Sequence, residues 1–139
     1  MTLAFSTTVI NDRLQALTRA IDGGSGPGLL KIYDGTRPAT GAAVTTQQLL
    51  AMQPFNDPSA GSISGTTLNL SIGASVLASK TGNASWARIT DSAGTFVADL
   101  DVSASGGSGE LQLSAGGTPT TQLYEGGVFS ISVATLVEA

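Results

Sequence analysis

The chain has 139 residues, no Cys and no His, and a formal net charge of −4. Without Cys or His there is no disulfide, thiol nucleophile, imidazole base, Ser-His-Asp triad or Cys/His zinc site, so no cofactor is expected. Any chemistry rests on carboxylates, Lys, Tyr or hydroxyls, and any metal would be a hard cation on oxygen ligands.

The six Lys and Arg are scattered, whereas a nucleic-acid binder needs a clustered basic face to neutralise phosphate. No apolar run reaches the roughly 18 residues that a membrane helix needs. Neither nucleic acid nor membrane is therefore expected as a partner. Hydrophobic residues make up 41%, enough for the core of one domain, while charged residues are only 12% and Gly reaches 18. Such a surface is covered by hydroxyls, amides and backbone, which suits a β protein with tight turns and a face that lies against other protein. The start, MTLAFSTTVINDRLQ, lacks a signal-peptide pattern. Folding in a reducing cytoplasm is expected, and the sequons at Asn69 and Asn83 carry no weight there.

Residues 1–22 read as an arm and a helix. Ile10, Leu14, Leu17 and Ile21 recur at spacings of four, three and four, one helical face. Ser6, Thr7 or Thr8 would cap its start, and Gly23-Gly24 would end it in the left-handed conformation. Met1 to Phe5 is either a free arm or a short strand. The Gly-rich stretch 23–28 follows a helix and precedes a strand, the reverse of a phosphate-binding loop, and reads as a linker.

Residues 29–139 alternate at period two in short pieces. Strands are expected at Leu29–Tyr33, at Gln48–Gln53 with Pro54 and Pro58 in the loop beyond, and around Leu68, Leu70 and Ile72. Further strands are expected at Ser85–Thr90, Thr95–Val102, Glu110–Leu113 and Val128–Val137, the last with Phe129, Ile131 and Val133 on one face. The fold class is mainly β, an antiparallel β-sandwich or barrel of about seven or eight short strands with one N-terminal amphipathic helix, in one domain overall. The helix either packs on an edge or open end or extends to a neighbour.

Ile89-Thr90-Asp91-Ser92-Ala93-Gly94 approaches the apolar-apolar-Asp-Thr/Ser-Gly string of aspartic proteases, whose chemistry needs two Asp sharing a proton. Ala93 stands where Gly is required, and no later strand supplies the supporting Gly. A turn accounts for every residue: Asp91 accepts local backbone hydrogen bonds and Gly94 takes a positive φ. Asp99 and Asp101 share a strand face and read as a solvent-facing polar edge rather than a Ca²⁺ site. Trp86 shares a face with Arg88, opposite Ala87 and Ile89, and is either core or a half-exposed contact residue. Tyr33 and Tyr124 carry no activating partner.

The succession TLAFSTTVINDRLQALTRAID, LLKIYDGTRPATG, TTQQLLAMQPF, ASWARITDSAGTFVADLDV and GGVFSISVATLVEA resembles small accessory virion proteins of tailed bacteriophages. The resemblance covers most of the chain and carries no catalytic signature. It implies a non-enzymatic structural protein on the virion, made in the host bacterial cytoplasm and assembled in many copies. A capsid decoration or cement protein on the major capsid protein lattice is one form, sometimes trimeric. A tail or neck component is another. Outside the resemblance, a receptor- or glycan-binding module is the alternative, against which the 5% of aromatic residues counts. The expected protein contacts are Ile10, Leu14, Leu17, Ile21, Trp86 and Arg88, with a flat Ser/Thr/Gly-rich face as the alternative surface.

Overall fold

A computed structural model describes residues 3–137 of the chain; Met1 and Thr2 of the expected arm lie outside the described residues. The helix α1 spans Thr7–Ile21, and Ser6 caps it by accepting the Val9 N–H on its hydroxyl at 3.3 Å. Its end differs from the expectation. Asp22 closes the last turn at φ −86, and neither Gly23 nor Gly24 has a positive φ. The requirement at Gly24 is space, because a Cβ there would run into the side chain of Ser92. Asp22 also ties the helix end to the sheet, both carboxylate oxygens accepting from the Ser59 N–H at 2.9 and 3.1 Å.

Ten strands follow among the described residues: β1 Leu29–Tyr33, β2 Leu49–Ser64, β3 Thr67–Ile72, β4 Gly82–Asn83, β5 Trp86–Thr90, β6 Phe96–Ala104, β7 Leu111–Ala115, β8 Thr118–Pro119, β9 Gln122–Leu123 and β10 Ser130–Val137. Seven of them close a ring in the order β10-β3-β2-β1-β5-β6-β7, with β7 paired back to β10. The open choice between sandwich and barrel is thereby settled as a barrel. Strand β8 adds to β7, and β4 pairs with β9 in a separate ribbon.

Closing the ring imposes a parity rule. Each antiparallel pairing reverses the strand direction, so a complete circuit needs an even number of them. A seven-strand ring must then contain at least one parallel pair. That pair is β6–β7, joined in parallel from Val102 opposite Leu111 to Ala104 opposite Leu113. A parallel return ordinarily takes a dozen residues or more, yet the link here is only residues 105–110, with the sequence SGGSGE. The chain doubles back inside hydrogen-bonding distance of itself. Gln112 serves as the brace: its Oε1 accepts the Gly106 N–H at 3.0 Å, and its Nε2 donates to the Gly107 and Gly109 carbonyls. Ser103 Oγ accepts the Gly109 N–H at 3.0 Å. Gly109 is wedged between backbones, where a Cβ would stand 2.7 Å from Ser103 N and 2.9 Å from the Asp101 and Leu111 carbonyl oxygens.

Strand β2 runs through both prolines, against the expectation of a loop. Its first part pairs with β1 up to Pro54 opposite Leu29, and its second part pairs with β3. The register slips between Phe55 and Ala60 and again between Ala60 and Ile63. Pro58 falls in the first slip, where a missing N–H breaks no ladder bond. The β2–β3 turn places Gly65 at φ 61, and Gly116-Gly117 between β7 and β8 have φ 57 and 81, the two positive values of a primed hairpin turn. In β10 the register shifts between Ile131 and Val133, so Ala134 rather than Val133 becomes the buried residue after Phe129.

The interior is filled by Leu30 and Ile32 of β1, Leu50 and Phe55 of β2, Leu68 and Leu70 of β3, Ala87 and Ile89 of β5, Leu100 of β6, and Leu111 and Leu113 of β7. Small barrels are packed by side chains rather than left open. The helix packs against β2 and β6 and sends Ile10, Leu14 and Ile21 into this same core, with Leu17 partly buried on it. It does not extend toward a neighbour.

Gly109→Ala is expected to lower stability by about 2–3 kcal/mol, since backbone must move to admit the methyl. Ser108→Ala, exposed beside it, should change stability by less than about 0.5 kcal/mol in the same urea titration. Leu14→Ala should cost about 2–5 kcal/mol of barrel stability, because the helix is part of the core.

Candidate functional site

The densest polar construction lies outside the barrel, on the face shared by β1, β5 and β6. Alternation sends Ala87 and Ile89 inward and leaves Trp86, Arg88 and Thr90 on the outer face, yet all five residues of β5 are buried. The cover is the loop 34–48 between β1 and β2, whose ends meet where the Asp34 N–H donates to the Gln48 carbonyl at 3.2 Å. It is a compact surface loop packed on its own chain.

Arg88 fixes the loop. Its Nε donates to Asp99 Oδ1 at 2.7 Å and its NH2 to Asp99 Oδ2 at 3.0 Å, a bidentate pair across the β5–β6 register. The remaining NH1 donates to the Ala42 carbonyl at 2.8 Å, and Asp99 Oδ2 also accepts the Gly41 N–H at 3.2 Å. One ion pair thus grips two consecutive residues of the loop. The guanidinium lies 5.4 Å from the Trp86 ring and 5.1 Å from the Phe96 ring. Trp86 in turn stacks on Tyr33 at 4.6 Å, and its indole N–H donates to the Asp34 carbonyl at 3.0 Å. A planar fork bonded to a carboxylate and lying over two aromatic rings suits Arg and would not suit Lys.

The pair is desolvated, with Arg88 only 8% exposed and the Asp99 side chain 2%. Burial by itself would raise the pKa of Asp99. The Arg88 hydrogen bonds, the Gly41 N–H and the positive charges of Arg88 and Arg37 outweigh it and hold the carboxyl below its ordinary value. The hydrogen bond to Asp99 likewise raises Arg88 against its own desolvation, and burial raises Tyr33. Asp99 is therefore not the solvent-facing residue expected, and β6 is not an edge, having β5 on one side and β7 on the other. Asp101 does reach solvent, pairing at 3.2 Å with Arg37 of the loop.

Asp91 takes the turn geometry. Its Oδ1 accepts the Ala93 and Thr95 N–H groups, each at 2.9 Å, the Gly94 N–H donates to its carbonyl, and Gly94 has φ 91. Hydrogen bonding from Thr95 is the main cause of its lowered pKa. Among the described residues, no cleft or pocket is present and no three carboxylates converge as metal ligands.

Of the residues expected to make protein contacts, Ile10, Leu14 and Ile21 are buried in the core and Leu17 is partly so. Trp86, 1% exposed, and Arg88 lie under the loop. Their surfaces are spent inside the chain, because the helix stripe completes the barrel core and the loop covers β5. Other apolar side chains do face solvent. They include Leu3, Phe5 and Val9 around the start of α1, and Leu77, Tyr124 and Val128 where two loops meet. Large apolar residues embedded in Ser- and Gly-rich loops, as in GASVLAS and YEGGV, are the signal that points to them.

Comparison of the chain with protein-family models, curated proteins and solved structures finds no match.

Asp99→Asn is expected to cost about 3 kcal/mol at pH 7, because it strands a buried guanidinium charge. The pH dependence follows the depressed carboxyls. Their stabilisation is complete above the unfolded Asp value of about 3.9 and is lost as pH falls through the lower folded values. Urea unfolding should thus be flat from pH 7 to about 5 and weaken below about pH 4, with a shallower acid limb in Asp99→Asn.

Proposed function

We propose that the chain is a non-enzymatic structural protein of a tailed-phage virion, most specifically a capsid decoration or cement protein seated on the major capsid protein lattice. The observation that carries this reading is the exposed apolar arm on a rigid body. Leu3, 76% exposed, precedes Phe5 and Val9, also exposed, and Phe5 is steadied by Arg13, whose guanidinium lies 4.8 Å from its ring. The arm leads directly into a helix rooted in the barrel core, so a load on the arm is passed to the whole domain. An arm of this kind serves to attach to neighbouring protein, as exposed apolar groups are costly without a partner.

Three further features support the reading: the resemblance in phrase order to accessory virion proteins, the weakly charged surface, and an acidic net charge that discourages adhesion to nucleic acid. Burial of the helix stripe in the core favours the arm over the helix face as the contact, with the flat Ser/Thr/Gly-rich face as the alternative surface.

Particles assembled with the Leu3→Ser/Phe5→Ser chain should carry it at less than about a tenth of the wild-type occupancy, since the loss of two anchors removes most of the attachment energy. Circular dichroism should show the variant folded, because both side chains lie outside the core. Unchanged occupancy would sink the arm as the attachment point. Copy number from symmetry-resolved electron microscopy tests the location. On the order of hundreds on the head means decoration, and about six or twelve means neck or tail.

A further inference from the structure

We propose that the chain pairs with a second copy of itself through the patch formed by Leu77, Tyr124 and Val128, across a two-fold axis that sets Lys80 of one copy against Glu125 of the other. The patch lies where the loop after β3 meets the loop after β9. Leu77 and Val128 are directly opposite in an isolated antiparallel bridge, so their side chains project to the same side. The Ala78 N–H donates to the Gly127 carbonyl at 3.0 Å and the Gly126 N–H to the Ala78 carbonyl at 2.8 Å. Tyr124 closes the turn by accepting the Gly127 N–H at 2.7 Å, and its Cβ stands 3.5 Å from where a Cβ on Gly127 would be. The three residues are 58%, 65% and 68% exposed in the order of the chain. Leu77 and Val128 on one face, with the exposed Tyr124 on the adjoining turn, form a solvent-facing apolar centre.

The charges around it select the partner. Lys80 lies just beyond Leu77, and Glu125 follows Tyr124; both are exposed. The Glu125 N–H donates to Thr81 Oγ1 at 2.9 Å, which brings the Glu backbone beside the residue after Lys80. Despite this proximity, Lys80 and Glu125 make no ion pair with each other or with another described residue. A patch with one free cation and one free anion beside a shared apolar centre is complementary to its own copy. In a two-fold contact each surface meets itself, so every Lys80 gains a Glu125 and every Glu125 a Lys80. A partner of single-sign charge would satisfy only one of them. The proposal is independent of the virion reading, since it concerns the purified chain alone.

Sedimentation equilibrium of the purified chain from roughly 1 µM to 1 mM is expected to show a monomer–dimer equilibrium. Val128→Asp puts a charge at the apolar centre and should weaken dimerisation by about thirtyfold or more. Lys80→Glu and Glu125→Lys should each weaken it by about fivefold, the axis counting each change twice, and the double swap should restore it. All four variants alter exposed side chains, and circular dichroism checks their folding. A monomer throughout the range, a trimer, a dimer indifferent to Val128→Asp, or a double swap no better than the single reversals would each overturn the proposal.

Discussion

The parallel contact between β6 and β7 is the constraint on which the rest of the architecture depends. Without it an odd-membered ring cannot close, and two strands would be left with unpaired backbone along an edge. Closure removes those edges, which in open sheets invite pairing with other chains. The cost is a very short return between strands that run the same way, and the Gly-rich run 105–110 meets it. There Gly107 and Gly109 matter for close approach, Gly109 being the one hemmed in by backbone atoms alone.

The Arg88–Asp99 pair acts at a second level, after the barrel exists. A buried ion pair is poor evidence for net stability, since desolvation offsets much of the attraction. Its value here is positional. Two charges on adjacent strands hold a loop whose gripped residues, Gly41 and Ala42, have little side chain with which to hold themselves. Trp86 and Phe96 lie beside the guanidinium, and Tyr33 stacks on Trp86. Loop and sheet are thus joined by polar bonds over an apolar floor.

Local structure was legible where one face or one turn decides it. The helix follows from four apolar residues at helical spacing, β1 and β5 follow from alternation, and the Asp91 turn follows from a carboxylate and a glycine at the right separation. What stayed hidden depends on partners distant in sequence. Asp99 lies on the outer face as alternation requires, but its cover comes from Gly41, 58 residues earlier. The proline-bearing half of β2 forms a strand because β3 is beside it and its bulges absorb Pro58. The helix stripe looked equally suited to a core or to a neighbour, since the same apolar pattern serves both. The pairing of the exposed Leu77 with Val128 was not legible, because their bridge joins segments on either side of β4, β5, β6, β7, β8 and β9.

Ring closure also orders events in time. Strand β10 pairs with β3 on one side and β7 on the other, and it follows every other strand of the barrel in the chain. During synthesis, the helix and six staves emerge first and must wait with a gap in the wall. Any barrel wall formed before β10 is made would have an open β3 edge and an open β7 edge. Folding of this domain is bound to the completion of its strand set, and a ribosome that stalls before β10 would leave exposed strand edges for chaperones to shield.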